Sequence, residues 1–289
     1  MQSALGVPAP WQVLMQRIEQ ILFPVDFSSH CQVVAPAVAA MAKRFGATVT
    51  LFHALDLPSG AYSDWQAFLN LVDVPSLQRH QTRRLDRYLV DEMAGVSTHR
   101  AIGTDAAAPS IVQFAREKGM DMIVMPSRGL SAFRTLLLGS VTERVLHDAV
   151  CPVWTEAHLE TETTPPLEYR SILCAVDLSP ASAGVLRWAA RLVNEYGARL
   201  QVIHATEEDW PEVRKFQQES YQRLQDETGV ETPLHILGGP VRRAVEEETR
   251  RQRADLLVIG RGRSQGRLGR LRTSAHALIR QSPCPVLSV

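Results

Sequence analysis

In the first half of the chain, short apolar runs alternate with longer stretches in which apolar residues recur at helical spacing. Met122–Met125 is an unbroken apolar run, which is typical of a strand buried on both faces of a parallel sheet. The other predicted strands are Ile21–Asp26, Val49–His53, Val96–Ile102 and one that starts with Cys151–Trp154. Between them, apolar residues recur on one helical face over 33–45, 85–93 and 109–118. This alternation predicts an α/β fold with a parallel sheet.

Several residues mark where these elements begin, end or are interrupted. Gly46 is expected to end the first helix, and Pro36 lies inside it, so this helix either starts late or bends there. The first 20 residues predict a short additional helix. Residues 56–80 predict a longer, irregular connection whose apolar side chains form a lid or a local cluster.

The second half of the chain repeats the first. Ile172–Asp177 copies Ile21–Asp26 at an offset of 151 positions, and Cys284–Val286 copies Cys151–Val153 at an offset of 133. A repeat of this length predicts two similar domains that pack about a pseudo-twofold axis. The predicted organisation is an N-terminal extension (1–20), a front domain (21–159), a polar, proline-containing linker (160–168) and a rear domain (169–289).

Composition narrows the classes of function. The 31 basic residues balance the 31 acidic ones, so the net charge gives no reason to expect nucleic acid or an anionic membrane as a partner. No apolar run approaches the roughly 20 residues that span a bilayer, and the N-terminus lacks a signal-peptide pattern. The four cysteines form neither a CxxC pair nor a zinc spacing. We therefore expect a soluble, cytoplasmic protein with reduced thiols.

The strongest candidate for ligand binding follows the strand Met122–Met125. Gly139-Ser140 precedes an apolar helical stripe, and a Gly-Ser pair at a helix start leaves backbone N–H groups and a hydroxyl directed at one place. Asp26 and Gly129 both follow predicted strands, so they meet at the carboxyl edge of the sheet if those strands are neighbours. We predict that the phosphates of a nucleotide bind there.

The motifs ILFPVDFS and VMPSRGLSAFRTLLLGSVTERVLHDAVCPVW resemble the universal stress protein family, as do their second-half counterparts ILCAVDLSP and VIGRGRSQGRLGRLRTSAHALIRQSPCPVL. The resemblance covers nearly the whole chain apart from the first 20 residues and the linker. It implies two domains, each an open five-stranded parallel sheet with helices on both faces, as in the adenine nucleotide alpha hydrolase-like fold. It also implies that the last strands pair the domains, and that the protein forms a homodimer.

Some members of this family bind ATP through the motif Gly-x2-Gly-x9-Gly-Ser/Thr, whose positions fall here on Pro126, Gly129, Gly139 and Ser140. The resemblance implies that the aspartate and its neighbours face the base and that the glycines and serine face the phosphates, with Mg²⁺ accompanying them. The candidate binding residues are Pro24, Val25, Asp26, Ala54, Met125, Ser127, Arg128, Gly129, Gly139, Ser140 and Val141.

Both domains depart from this motif. Pro126 offers no N–H, and one lost hydrogen bond to a ligand costs roughly 1–3 kcal/mol, which weakens binding about 5- to 150-fold. In the rear domain only one residue separates Gly260 from Gly262, and Arg272-Thr273 stands where Gly-Ser is expected. We therefore expect nucleotide binding in the front domain rather than in the rear one.

Structural explanations apply to several of these residues. Asp26 and Asp177 each precede a predicted helix and are suited to cap it, and for Asp177 capping is the preferred interpretation. His53 and His204 occupy equivalent strand ends and are interpreted as structural. The loop Arg261–Arg272 is interpreted first as solvated, second as a contact with the partner domain, and third as a polyanion site.

Three functions from different classes remain open. The first is a stress protein that binds ATP in its front domain, with little or no catalysis. The second is a scaffold, or a binder of another small ligand, whose pockets are degenerate. The third is an adenine-nucleotide hydrolase, which ranks last because the sequence contains no Walker lysine motif and no readable nucleophile–histidine pair. No catalytic residue and no metal ligand is predicted.

Overall fold

The computed structural model describes residues 17–55, 73–129, 138–157, 165–208, 210–261 and 270–289. The front domain contains β1 (Gln20–Pro24), α1 (Ser29–Phe45), β2 (Thr48–Ala54), α2 (Val74–Asp86), β3 (Thr98–Gly103), α3 (Ala107–Glu117), β4 (Met122–Met125), α4 (Ser140–Asp148) and β5 (Val153–Thr155). The rear domain contains β6 (Ser171–Ala175), α5 (Ser182–Tyr196), β7 (Arg199–Thr206), α6 (Pro211–Thr228), β8 (Leu234–Gly238), α7 (Val241–Arg251), β9 (Leu256–Ile259), α8 (Arg270–Gln281) and β10 (Val286–Ser288).

These strands form one sheet in the order β3-β2-β1-β4-β5-β10-β9-β6-β7-β8. All neighbouring strands are parallel except β5 and β10, which run antiparallel with Leu287 opposite Trp154. Each domain thus contributes a five-stranded parallel sheet, and the last strand of each joins the two halves. The predicted fold and the predicted pairing through the last strands are confirmed.

Helices cover both faces of this sheet. Val34, Val38 and Met41 of α1 are buried at a spacing of three to four residues and belong to a hydrophobic cluster with β1 residues Ile21 and Phe23. The opposite face of the front sheet is covered by α3 and α4, whose buried side chains cluster with Leu22, Phe52, Ile123 and Met125. This two-sided cover explains why every residue of β4 is buried.

The ends of α1 follow from local hydrogen bonding. Ser28 is the N-cap, and its hydroxyl accepts the N–H of Cys31 at 3.4 Å. Gly46 ends the helix with a left-handed φ of 67°, as predicted. Pro36 lies within the continuous helix. The alternative in which the helix starts late is therefore wrong, because the Ser28 cap fixes its start before the proline.

Two other predicted elements differ from the structure. The helix predicted over 85–93 is wrong: the helix here is α2, most of which lies in the segment predicted to be an irregular connection. It starts there because Asp73 accepts the N–H of Ser76 at 2.9 Å and Pro75 occupies its first turn. Residues 87–95 form turns, in which Leu89 has a φ of 54°. Residues 17–19 are not helical. Residues 1–16 of the predicted additional helix and residues 56–72 of the predicted connection lie outside the described residues.

The two domains also share hydrogen bonds that the apolar pattern of the sequence does not predict. Oδ2 of Asp121 accepts the two backbone N–H groups around the start of β1, at 2.7 and 2.9 Å. Oδ2 of Asp255 accepts the corresponding two groups at the start of β6, also at 2.7 and 2.9 Å. Both aspartates immediately precede the fourth strand of their domain, so each one ties that strand to its neighbour.

Aromatic and charged contacts join the domains on the face covered by α1. Trp154 of β5 donates its indole N–H to the hydroxyl of Tyr169 at 3.0 Å, and both side chains are buried. Arg44 of α1 forms an ion pair with Glu168, and its guanidinium lies 4.8 Å from the ring centre of Tyr196 in α5. The two domains therefore share a continuous hydrophobic cluster across the β5–β10 junction.

None of the helices in the described part of the chain combines the length and the apolarity that crossing a bilayer requires.

Candidate functional site

Asp26 and Gly129 lie against each other at the carboxyl edge of the front sheet. Asp26 follows β1 and Gly129 follows β4, and these two strands are neighbours. A Cβ atom placed on Gly129 would lie 2.7 Å from Oδ2 of Asp26, which is closer than such atoms approach in folded proteins. Any larger residue at this position would therefore force the Asp26 carboxylate to move.

A second junction ties the loop after β4 to the start of α4. Gly139 donates its N–H to the carbonyl of Ser127 at 2.9 Å, and the hydroxyl of Thr142 donates to the carbonyl of Pro126 at 3.0 Å. A Cβ atom on Gly139 would lie 3.6 Å from the backbone nitrogen of Gly129. The two glycines of the predicted motif are thus close together, although residues 130–137 between them lie outside the described residues.

The first turn of α4 has no side-chain cap. Gly139 is its N-cap, with φ −61° and ψ 140°, and no side chain accepts a capping hydrogen bond there. Ser140 is exposed and Val141 is half-buried. N–H groups at an uncapped helix start, together with the helix dipole, attract anions. This end of α4 therefore has the chemistry of a phosphate site.

The other predicted contact residues surround the same edge but differ in exposure. Pro24, Val25 and Met125 are buried. The side chains of Val25 and Met125 belong to hydrophobic clusters on opposite faces of the sheet. Ala54, at the end of β2, is half-buried. These positions can therefore meet a ligand mainly through their backbone.

Ser127 faces a buried carboxylate. Glu156 follows β5, and its Oε2 accepts the N–H of Ser127 at 2.7 Å while its Oε1 accepts the hydroxyl at 3.0 Å. Ser127 has no exposed surface, and Glu156 is 8% exposed. Burial raises the pKa of Glu156 to about 7, although Ser127 and Arg128 act in the opposite direction. Because both polar groups of Ser127 are engaged inside the protein, its contact with a ligand stays a prediction.

Arg128 acts electrostatically on two titratable groups. Its charge acts on the Glu156 carboxylate and on the imidazole of His30 in α1. Burial lowers the pKa of His30, and the positive charge of Arg128 lowers it further. The loop after β4 therefore carries a positive charge next to Asp26 and the start of α4, where a phosphate is predicted.

Asp26 and Asp177 have equivalent local roles. Oδ1 of Asp26 accepts the N–H of Ser28 at 2.9 Å, and Oδ1 of Asp177 accepts the N–H of Ser179 at 3.0 Å. The residue between each pair has a left-handed φ, 63° in the front domain and 60° in the rear. Asp177 also accepts the hydroxyl of Ser182, the first residue of α5, at 2.7 Å. These bonds support the interpretation that Asp177 stabilises a helix start.

The two histidines at equivalent strand ends also make equivalent bonds. Nδ1 of His53 lies 2.8 Å from the carbonyl of Val25, and Nδ1 of His204 lies 2.9 Å from the carbonyl of Val176. A carbonyl only accepts, so Nδ1 carries the proton in both rings. Burial lowers the pKa of His53. Each histidine therefore holds the end of one strand to the next, as the structural interpretation predicts.

The solvated interpretation of the Arg261–Arg272 loop is wrong for Arg261 itself. Its Nη1 donates to the carbonyl of Ala149 at 2.9 Å, and its Nη2 donates to the carbonyl of Cys151 at 3.0 Å. A longer bond of 3.4 Å reaches the carbonyl of Leu146. For Arg261 the second interpretation is correct, because a guanidinium of the rear domain caps the C-terminal end of α4 in the front domain. Residues 262–269 lie outside the described residues.

Comparison with known protein families shows which family this chain belongs to. The model of the "Universal stress protein family" matches residues 17–155 and again residues 168–289. The chain belongs to the universal stress protein family. Because the two matches cover most of the chain in tandem, the protein carries two universal stress protein domains, in agreement with the two halves of its sheet.

Curated universal stress proteins match single stretches of this chain. One from Methanocaldococcus jannaschii is 30% identical over 139 residues, which is 47% of this chain and 79% of that protein. One from Thermus aquaticus is 30% identical over 136 residues, 46% of this chain and 94% of that protein. The crystal structure of a universal stress protein from Archaeoglobus fulgidus aligns with a TM-score of 0.69 at 21% identity, over 94% of this chain and 96% of that one. This likeness supports the tandem fold.

Two residues of this universal stress protein site escaped the sequence reasoning. The sequence hints at Glu156 only in that a charged residue directly follows an apolar strand. The rear domain has Val289 at the equivalent position. Cys31 is buried, and its Sγ lies 3.3 Å from Oδ1 of Asp26. Burial and the nearby carboxylate raise the pKa of this thiol to about 12. The rear domain has Ser182 at the equivalent position.

Proposed function

We propose that the front domain binds ATP at the carboxyl edge of its sheet, between Asp26 and the first turn of α4, with little or no catalysis. The observation that carries this proposal is the convergence of two motif glycines, Gly129 and Gly139, with Asp26. Gly129 contacts the Asp26 carboxylate, and Gly139 lies against Gly129 at the start of α4. Ligands of open α/β sheets bind at this edge, at the point where the strand order reverses, which here lies between β1 and β4.

The expected roles follow from the chemistry of each group. The N–H groups at the start of α4 and the hydroxyl of Ser140 bind the phosphates, helped by the positive charge of Arg128. The adenine base lies towards Asp26 and the strand ends at Val25 and Ala54. The described residues hold no group of three or more His, Cys, Asp or Glu side chains placed for a metal ion. Mg²⁺ would therefore arrive with the phosphates.

One observation favours a scaffold with no nucleotide. Oδ1 of Asp26 already accepts the N–H of Ser28 and lies 3.3 Å from the thiol of Cys31, while Oδ2 lies against Gly129. A carboxylate with these neighbours has less capacity for a base. In this second candidate function the front crevice is a structural junction, and the protein acts through partners that bind its surface.

Calorimetric titration with ATP and Mg²⁺ separates the two functions. We expect saturable binding to the wild type and none to Gly139→Val, which places a branched side chain where a Cβ atom already lies 3.6 Å from the backbone of the loop after β4. Gly139 has a φ that valine adopts readily, so the variant should fold. The matched control is Gly184→Ala, because Gly184 lies in α5 with open space around it.

Absence of heat and of a thermal shift at millimolar ATP would contradict the ATP proposal and favour the scaffold. Phosphate release that exceeds that of Gly139→Val would contradict the expectation of little or no catalysis. The proposed homodimer is tested on the same samples by light scattering. No disulfide links the four cysteines, which fits the proposed cytoplasmic location.

A further inference from the structure

A cavity of about 780 Å³ lies at the carboxyl edge of the rear sheet, next to the ends of the neighbouring strands β6 and β9. Its described lining is mainly apolar and includes Val185 and Trp188 of α5, Val245 of α7 and Leu278 of α8. Small-molecule sites typically measure about 300–1,000 Å³ and are mostly apolar with a few polar groups. The rear cavity has the size and the lining of such a site.

Differences between equivalent residues of the two domains explain the open space in the rear crevice. In the front domain, the hydroxyl of Thr142 donates to the carbonyl of Pro126 and holds α4 against the end of β4. The equivalent rear positions are Ala275 and Gly260, and both line the cavity. The rear crevice therefore lacks the hydroxyl that makes this bond and the proline ring beneath it.

The front domain supplies part of the cavity mouth. Arg261 binds the carbonyls of Ala149 and Cys151, which flank Val150. Val150 is 48% exposed and Val241, at the start of α7, is 37% exposed, and both line the cavity. Large apolar side chains left exposed beside an apolar cavity favour an apolar ligand. The same bonds that cap α4 therefore hold one wall of the mouth in place.

The described lining of this cavity carries one carboxylate, from Asp177, and one guanidinium, from Arg261, beside the hydroxyls of Ser179 and Ser182 and the imidazole of His204. Asp177 lines the cavity, and the hydrogen bonds from Ser179 and Ser182 lower its pKa despite the opposing effect of burial. A second cavity of about 510 Å³ shares Asp177 and is also lined by Glu208 and Glu212. The one cation in the described lining, Arg261, is directed at backbone carbonyls. Among the described residues, Asp177 and the two glutamates of the adjoining cavity therefore favour a cation over a phosphate.

We propose that the rear cavity binds an apolar amine, a small molecule whose ring body packs against Trp188 and Val245 and whose ammonium group lies near Asp177. This inference is independent of ATP binding in the front domain, since the two sites share no residue. It gives the rear domain a ligand class different from the one proposed for the front.

Two probes with the same ring and opposite charge test the proposal. We expect 2-naphthylmethylamine to bind the full-length protein saturably at one site, and about tenfold more tightly than 2-naphthoate. Asp177→Asn should remove this preference, because asparagine retains an acceptor for the Ser179 N–H but carries no charge. Equal binding of the two probes, or tighter binding of naphthoate, would overturn the proposal.

Variants at the mouth show whether the probe enters this cavity. The double variant Val150→Asn/Val241→Asn should weaken amine binding at least about fivefold by making both walls of the mouth polar. Val90→Asn is the matched control, because Val90 is 52% exposed on the front domain and does not line the cavity. Unchanged binding in the double variant would refute the site.

Competition with ATP tests whether the rear cavity is instead a nucleotide site. The amine should stay bound at millimolar ATP in the wild type and in Gly139→Val. If ATP displaced the amine in Gly139→Val, the rear cavity would be a nucleotide site and the proposal would be wrong. Failure of ATP to bind the wild type would count against the front-domain function only.

Discussion

Glu156 accepts two hydrogen bonds from Ser127, one from the backbone N–H at 2.7 Å and one from the hydroxyl at 3.0 Å. The pair joins the end of β5 to the loop that continues from β4 towards Gly129. Both residues are almost completely buried, so the carboxylate has little water to solvate its charge. The position of the glycine-containing loop is thus coupled to the protonation of a carboxyl group inside the protein.

This coupling predicts a dependence of stability on pH. Burial raises the pKa of Glu156 to about 7 from an ordinary value of 4.5. The folded state therefore binds the proton more tightly, and this stabilisation is complete below about pH 4.5 and lost as pH rises through about 7. Relative to Glu156→Gln, the wild type should lose about 2–3 kcal/mol of unfolding free energy between pH 4.5 and 8.

Urea unfolding of wild type and Glu156→Gln across this range measures the difference directly. Glu247→Gln is the control, because Glu247 lies on the exposed face of α7 and pairs only with Arg243 among the described side chains. A constant difference between wild type and Glu156→Gln at all pH values would show that the carboxyl group titrates normally.

The contact between Asp26 and Gly129 predicts a strong coupling between these positions. Gly129→Ala places a Cβ atom 2.7 Å from Oδ2 of Asp26, so the carboxylate must move and the variant should lose about 1–3 kcal/mol of stability. In the background of Asp26→Ala the same substitution should cost much less. A double-mutant cycle by thermal unfolding gives the coupling, and additive effects would mean that the two residues do not meet.

Much of the fold could be predicted because it follows from apolar periodicity. The run Met122–Met125 predicts a strand covered on both faces, and Gly46 predicts the end of α1, since both signals are local. The prediction failed at α2, where Asp73 and Pro75 set the start of the helix although the apolar residues are sparse. Short-range capping outweighed periodicity there.

Less of the site than of the fold could be predicted from the sequence, because the main contacts of the site join residues far apart in the chain. The strand pattern predicts that Asp26 and Gly129 meet if their strands are neighbours, but the partner of Ser127 lies 29 positions away in a different element. The bond from Arg261 to Ala149 spans 112 positions and two domains. No local pattern distinguishes such an arginine from the other arginines of its loop.

Arg261 should stabilise the association of the two domains. Arg261→Gln removes the charged donors from the carbonyls of the buried residues Ala149 and Cys151 at the end of α4, which should cost about 1–3 kcal/mol. Arg243→Gln is the control, since that arginine pairs with Glu247 in full solvent and its loss should leave the unfolding midpoint unchanged. Equal midpoints for both variants would contradict the capping role.

The two domains together predict that Cys31→Ser is tolerated. In the rear domain Ser182 occupies this position and donates its hydroxyl to Asp177 at 2.7 Å, so a serine at 31 has a ready acceptor in Asp26. Its effect should stay below about 1 kcal/mol, whereas Cys174→Ser, which buries a hydroxyl in the apolar core of β6, should cost about 1–3 kcal/mol. Chemical unfolding of both variants tests the contrast, and a reversed order would refute it.

Pro126 should limit the affinity of the front domain for ATP. Pro126→Gly restores an N–H at the first position of the motif and leaves the carbonyl that accepts from Thr142 in place. If that N–H meets the ligand, binding should tighten roughly 5- to 150-fold, while stability falls by about 0.5–1 kcal/mol because glycine is more flexible in the unfolded chain. Pro75→Gly in α2 should lower stability without changing affinity. Calorimetry with ATP distinguishes the outcomes: an unchanged dissociation constant in Pro126→Gly would mean that the ligand is held by the start of α4 alone, and that the proline is neutral for binding.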